Sequence, residues 1–169
     1  MDLNFPASTA PLEVFNAVSE YISRTMRISH IDSSRPWGGF MVINDDDLPV
    51  FLYSFFPEID KQLIDNQKIS PKVLLVAPGK RLSWQYHHRR AEIWKTIGGV
   101  VGVVRSNDDD ECDNEVLQTG EQIEIKVGER HRLVGLQEWG IVAEIWRHTD
   151  PSNPSNEDDI VRVQDDFCR

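Results

Sequence analysis

The chain changes its hydrophobic period once. Over residues 8–25, STAPLEVFNAVSEYISRT sets Leu12, Phe15, Val18 and Ile22 at close to helical spacing, which predicts an amphipathic helix. Ser8 or Thr9 is placed to cap it, Pro11 suits its first turn, and Glu13 favours the positive end. A solvated helix of this size is marginal alone, so the pattern predicts that it packs against the main domain. After SSRPWGGF the spacing shortens. FMVI reads as a short strand and NDDD as a solvated acidic turn. Phe51 to Phe56 fits a strand or the start of a helix, and Glu58 to Asp65 reads as helical, with Ile59 and Leu63 on one side.

From Lys72 onward, KVLLVAPGK, LSWQYHH, EIWKTIGGVVGVVRS, NEVLQTGEQIEIKVGERHRLVGL and GIVAEIWRH are rich in β-branched and aromatic residues, with Gly, Pro and Asn/Asp between them. Many short strands at this spacing predict a sandwich or a closed barrel, which hides strand edges. TDPSNPSNEDD reads as a loop, and IVRVQDDF regains alternation as a final strand. The organisation expected is a helical extension over 1–34, a barrel over 35–150, and a loop and strand over 151–169 that pack on it.

At 169 residues the length suits one domain with a substantial core. The net charge of −10 argues against nucleic acid or an anionic membrane as partner. Yet Arg81, Arg89, Arg90, Arg130 and Arg132 cluster, and local positive potential in an acidic chain suits a small anion. Cys112 and Cys168 lie far apart, which predicts free thiols in a reducing compartment. No apolar run approaches a membrane span and the N-terminus lacks signal-peptide character, so the expected location is cytoplasmic. DDDEC reads as another solvated acidic turn.

One stretch carries most of the candidate chemistry. GKRLSWQYHHRRAEIW holds a Gln, two His, three Arg and a Glu among large apolar residues. In a strand, alternate side chains share a face, so Ser83, Gln85 and His87 point one way and Trp84, Tyr86 and His88 the other. Glu92 opens the next strand across a short turn. Gln85, His87 and Glu92 therefore converge, and His131, after Gly120 and Gly128, is a fourth candidate. Such a nitrogen and oxygen donor set suits one divalent ion: Zn first, with Mn, Fe or Ni as alternatives. A register one residue over would use Tyr86 and His88, but a neutral phenol is a weak ligand.

These spacings resemble the two motifs of the cupin superfamily. Gly79, Gln85, His87, Glu92 and Gly99 follow the first, with Gln in the place of its first His. Gly120, Lys126, Gly128, His131 and Gly135 follow the second, with Lys for its Pro and Gly for its Asn. RPWGGF, KVLLVAPGKRLSWQYHHRRAEIW, GERHRL and EDDIVRVQDDFCR together resemble the type II mannose-6-phosphate isomerase cupin domain over about residues 35–169. The variant HHRRAEIW is also similar to stand-alone cupins labelled phosphoheptose isomerases. The resemblance implies a mainly β, jelly-roll barrel, a sugar-phosphate substrate and a Gln-x-His metal set. Arg89, Ile93 and Trp146 depart from its pattern, and the transferase domain that often precedes it is absent from this sequence.

The expected activity is a metal-dependent aldose–ketose isomerase acting on a phosphorylated sugar. Glu144, a carboxylate between apolar neighbours in GIVAEIWRH, is a candidate base. Lys72, on an otherwise apolar strand, and His88 are further candidates for the chemistry. Lys72, Arg90 and Arg162 are the candidates to hold the phosphate, since cations match its charge and Arg its geometry. Arg35 is a lesser candidate for the anion, and Arg81, Arg89 and Arg130 are expected at solvent or an interface. A homodimer through strand edges is possible in this architecture. A non-catalytic sugar-binding cupin, a cupin dioxygenase and an epimerase-like cupin needing no metal are the competing classes.

Overall fold

A computed structural model describes residues 3–59 and 68–167. Helix α1 spans Pro11–Ser23 and buries Val14, Phe15, Val18 and Ile22. Its N-cap is Ala10, with no side-chain cap, so neither Ser8 nor Thr9 has the expected role. Leu12 is exposed rather than buried. At ~100° per residue it lies roughly 120° around the helix from Val18, whereas Val14 lies within about 40°. The second helix, α2 at Leu48–Phe55, resolves the ambiguous run as helical and buries Phe51, Leu52 and Phe55. Most of the helix expected at Glu58 to Asp65 falls outside the described residues, as does Cys168; Cys112 is a free, exposed thiol.

The described residues form eleven strands, in chain order β1 Ile28–Arg35, β2 Gly38–Ile43, β3 Ile69–Val76, β4 Trp84–His87, β5 Arg90–Gly98, β6 Val101–Ser106, β7 Glu115–Leu117, β8 Gln122–Ile125, β9 Arg130–Gly135, β10 Gly140–His148 and β11 Ile160–Gln164. They form two antiparallel sheets, ordered β1-β2-β3-β10-β5-β8 and β11-β4-β9-β6-β7. Strand thus begins at Ile28, inside the extension expected to be helical. Strand β1 is a polar edge strand, held by its ladder to β2, and so carries no alternation to read. The final strand forms as expected and pairs with β4.

Strands β3 and β10 are apolar on both faces because both faces are covered. Val73, Leu75, Ile141, Ala143 and Ile145 pack outward with the residues of α1 and α2. Leu74, Val76 and Val142 pack inward with Trp94, Val103 and Leu133, which belong to the space between the sheets. Alternation therefore puts Lys72, Glu144 and Trp146 on the inner face as well. Cross-strand register aligns them, since Glu144 stands opposite Lys72 and Trp94, and Trp146 opposite Glu92. The other sheet supplies a facing row in which Gln85 pairs with both His131 and Arg162.

Candidate metal centre and anion cleft

At the inner end of these rows, His87, Glu92 and His131 are buried with their ligand atoms within 4.8 Å of one another. The two imidazole Nε2 atoms are 3.2 Å apart. Glu92 Oε1 lies 3.2 Å from His87 Nε2, and Oε2 lies 3.5 Å from His131 Nε2. Donors bound at ~2.1 Å to one ion stand roughly 3–3.5 Å apart, so the triangle has the dimensions of a metal site. The His131 tautomer agrees. His131 Nδ1 is 2.9 Å from the Glu129 carbonyl, which can only accept, and this leaves a lone pair on Nε2. Burial holds His131 neutral, with its pKa lowered to about 4. Burial opposes ionisation of Glu92, but the Arg90 guanidinium beside it holds its pKa well below the usual carboxylate range.

Gln85, the fourth sequence candidate, lines the same cleft, and its Oε1 accepts the Ser83 hydroxyl at 2.6 Å. His88 is not in the site. It is exposed just past the end of β4, where its ring meets Tyr86 edge-on at 5.2 Å, so the role in chemistry expected for it is corrected. The period of two that carries His87 inward carries His88 outward.

Glu92 also lines a cleft of ≈ 530 Å³, its open mouth included, whose walls hold Arg35, Lys72, Glu144, Trp146, Glu157 and Arg162. Glu144 is buried, and Oε1 accepts the Trp94 indole N–H at 2.9 Å. Burial, and then the Glu92 charge, push its pKa up to about 8 against the pull of Lys72 and Arg90. Lys72 is buried with Nζ 3.4 Å over the Trp146 ring and 4.9 Å from that of Phe40. Its ammonium pairs with Glu157 Oε1 at 3.2 Å. Arg162 is an exposed member of the cleft wall.

Arg90 differs from its expected part. It is fully enclosed, and its Nε donates to Glu92 Oε1 at 2.7 Å. Nη1 donates to Ser155 Oγ at 2.7 Å and to the Asn156 carbonyl at 3.3 Å, while Nη2 donates to His87 Nε2 at 3.0 Å. Four of its five N–H groups are thereby committed, so it cannot offer a phosphate the bidentate fork expected of it. It serves instead as counter-ion to the triangle, stacked 3.5 Å over Trp146.

The segment 149–159 holds this arrangement from the outside. Asp159 accepts the backbone N–H of Arg89 at 3.0 Å and the Ser155 hydroxyl at 2.6 Å, and His148 Nδ1 accepts the Ser155 N–H at 2.9 Å. Arg81, Arg89 and Arg130 stay outside the cleft, as expected, paired with Asp166, Asp159 and Asp109. The acidic runs are not merely solvated turns. Glu111 pairs with buried Arg132, the Asp109 carbonyl accepts the Trp84 indole N–H, and Asp47 pairs with Arg27. Sequence reasoning missed Glu157, Ser155 and His148, whose contacts with Lys72, Arg90 and Ser70 span long stretches of the chain. The polar cluster at the end of an apolar run was the available signal for His148.

Comparison with known proteins agrees with this geometry. The family described as "Mannose-6-phosphate isomerase C-terminal" matches residues 54–165. Mannose-1-phosphate guanylyltransferase 2 of Escherichia coli O157:H7 is 25% identical over 144 residues, covering 85% of this chain and 24% of that protein. The chain thus spans about a quarter of that relative. A variant of Bacillus subtilis oxalate decarboxylase superposes with a TM-score of 0.55 at 13% identity, over 79% of this chain and 30% of that one. Tomato vicilin gives 0.52 at 14%, over 90% and 35%. These likenesses show a cupin fold. Among the described residues, no helix is long and apolar enough to cross a membrane.

Proposed function

Because the chain belongs to the mannose-6-phosphate isomerase C-terminal family, we propose that its cleft takes a phosphorylated sugar and interconverts its aldose and ketose forms. The observation that carries this reading is a cleft lined by a protonatable buried carboxyl, a buried ammonium and Glu92, which joins it to the His-His-Glu triangle. His87, Glu92 and His131, with Gln85 as fourth donor, would hold one divalent ion, zinc in the first instance. Such an ion supplies a Lewis acid that draws electron density from a substrate oxygen.

The remaining work falls to the chain's own groups. Aldose–ketose exchange moves a proton between C1 and C2. Glu144 is suited to carry it, since a carboxyl with a pKa of about 8 takes and returns a proton near neutrality. The Trp94 N–H orients Glu144 Oε1. Lys72, flanked by Trp146 and Phe40, is the principal cation for the phosphate, with Arg162 and Arg35 at the cleft wall. Glu157 must leave Lys72 for that to happen. Positioning of the reacting carbons would fall to the side chains fixed on these strands.

A panel of hexose and heptose phosphates, assayed for aldose–ketose interconversion with Zn²⁺ or Mn²⁺ and again with chelator, tests the reading. Chelator-sensitive turnover of one member, lost in Glu144→Gln, is expected. The Arg90 contacts favour one second reading, a sugar-phosphate-binding module with no metal, because they already neutralise Glu92. Tight binding without turnover, unaffected by chelator, would select it.

A further inference from the structure

The imidazole nitrogen His87 Nε2 has a single lone pair in the plane of its ring. That lone pair accepts from Arg90 Nη2 at 3.0 Å. The same atom is one corner of the His87, Glu92, His131 triangle, so guanidinium and metal ion cannot share it. Glu92 Oε1, a second corner, is likewise engaged by Arg90 Nε at 2.7 Å. A buried carboxylate facing two lone pairs needs positive charge beside it, and here an arginine provides it.

We propose that Arg90 is the resident cation of this site and competes with a divalent ion for it, held in place by the segment 149–159. The inference rests on reading His87, Glu92 and His131 as metal ligands. The hold on Arg90 is specific. Ser155 Oγ and the Asn156 carbonyl take both hydrogens of Nη1. Ser155 is itself fixed by Asp159 and His148. Trp146 closes one face of the guanidinium at 3.5 Å. An ion entering the triangle must free His87 Nε2, and a cation at that distance also repels it. Ion affinity is therefore set partly by how firmly the segment holds Arg90, and Ser155 is a positioning residue for the ion site.

Titration calorimetry with Mn²⁺ on the full chain tests this, with electron paramagnetic resonance of bound Mn²⁺ as a second readout. Arg90→Met removes the competing charge while keeping an unbranched apolar stem over Trp146. It is expected to bind Mn²⁺ about tenfold or more tightly than the wild type, since a unit charge within a few ångströms of the ion is removed. Arg90→Lys, which restores a cation, is expected to return affinity towards the wild-type value. Ser155→Ala leaves every charge in place and is expected to tighten binding roughly two- to fivefold by loosening Arg90; no change there would remove the segment's part. Equal or weaker Mn²⁺ binding by Arg90→Met would overturn the competition. If Arg90→Met is destabilised without ion, Mn²⁺ should raise its Tm by more than it raises the wild type's, and an equal or smaller rise overturns the proposal. Absence of Mn²⁺ binding by both wild type and Arg90→Met would overturn the ligand assignment itself, and this proposal with it.

Discussion

The Trp94 indole N–H donates to Glu144 Oε1 at 2.9 Å, and the same hydrogen faces Glu92 Oε2 at 3.0 Å. One donor thus stands between two buried carboxyl groups. Glu92 is kept ionised by Arg90, so Glu144 is the one that stays protonated, at a pKa of about 8. Its folded value lies above the unfolded one, near 4.5. The folded chain holds the extra proton, and the stability this confers is complete below about pH 4.5 and lost as pH rises through about 8. Glu144→Gln in chelator should therefore gain on the wild type by up to ~1.4 kcal/mol per pH unit between those limits and level off above them. Urea unfolding at several pH values reads the difference, and a pH-independent gap would show that Glu144 is not protonated in the fold.

The ligand triangle makes a contrasting pair of variants. His87→Ala and His131→Ala should each lose most bound divalent ion, because each removes a corner of a site with three charged or imidazole donors. His88→Ala should retain it, since that ring is exposed just past the end of β4. Metal analysis after dialysis checks both. Loss of the ion in His88→Ala with retention in His87→Ala would mean the strand register is wrong by one residue.

On the proposed reading, anion recognition would divide between a buried cation, Lys72, and an exposed one, Arg162. Lys72→Met should weaken binding of a phosphorylated sugar by ~1.5–3 kcal/mol, the range of a charge-assisted hydrogen bond. Arg162→Ala, at an exposed position, should cost about 1 kcal/mol or less. Glu157→Gln should act in the opposite direction, strengthening binding by ~0.5–1 kcal/mol, because the Glu157 carboxylate sits on the Lys72 ammonium where a phosphate would. Calorimetry on the three variants gives the signs. Weaker binding in Glu157→Gln would place Glu157 among the groups that hold the sugar.

The glycines separate backbone strain from crowding. Gly79 and Gly99 have φ of +66° and +67°, but a Cβ at Gly79 meets nothing, whereas one at Gly99 would lie 2.2 Å from the Trp139 carbonyl oxygen. Gly79→Ala should cost ~1–2 kcal/mol, the penalty of a left-handed residue, and Gly99→Ala clearly more. Equal losses in chemical unfolding would contradict the close approach at Gly99.

These glycines explain why so much was legible in the sequence. Turns that need positive φ leave a local mark, and the period of two between them assigns Gln85 and His87 to one face and His88 to the other. Glu144 and Lys72 were readable for a related reason, as charges inside strands that are otherwise apolar on both faces. What could not be read depends on partners distant in the chain. Arg90 carries no local sign that Ser155 and Asn156 would take its donors and turn it from a phosphate ligand into a counter-ion. Nor does DDDEC show that Trp84, Arg130 and Arg132 wait beneath it. Strand β1 escaped notice because its ladder to β2, rather than any burial pattern, makes it a strand.

The most direct measurement uses only the wild-type chain and two ligands. Calorimetric titration of the ion-loaded protein with mannose 6-phosphate and with mannose compares the same sugar with and without its phosphate. The expected result is binding of the phosphorylated sugar at least about tenfold tighter, the factor that corresponds to ~1.4 kcal/mol. Equal affinity for the two would contradict a cleft built around the phosphate.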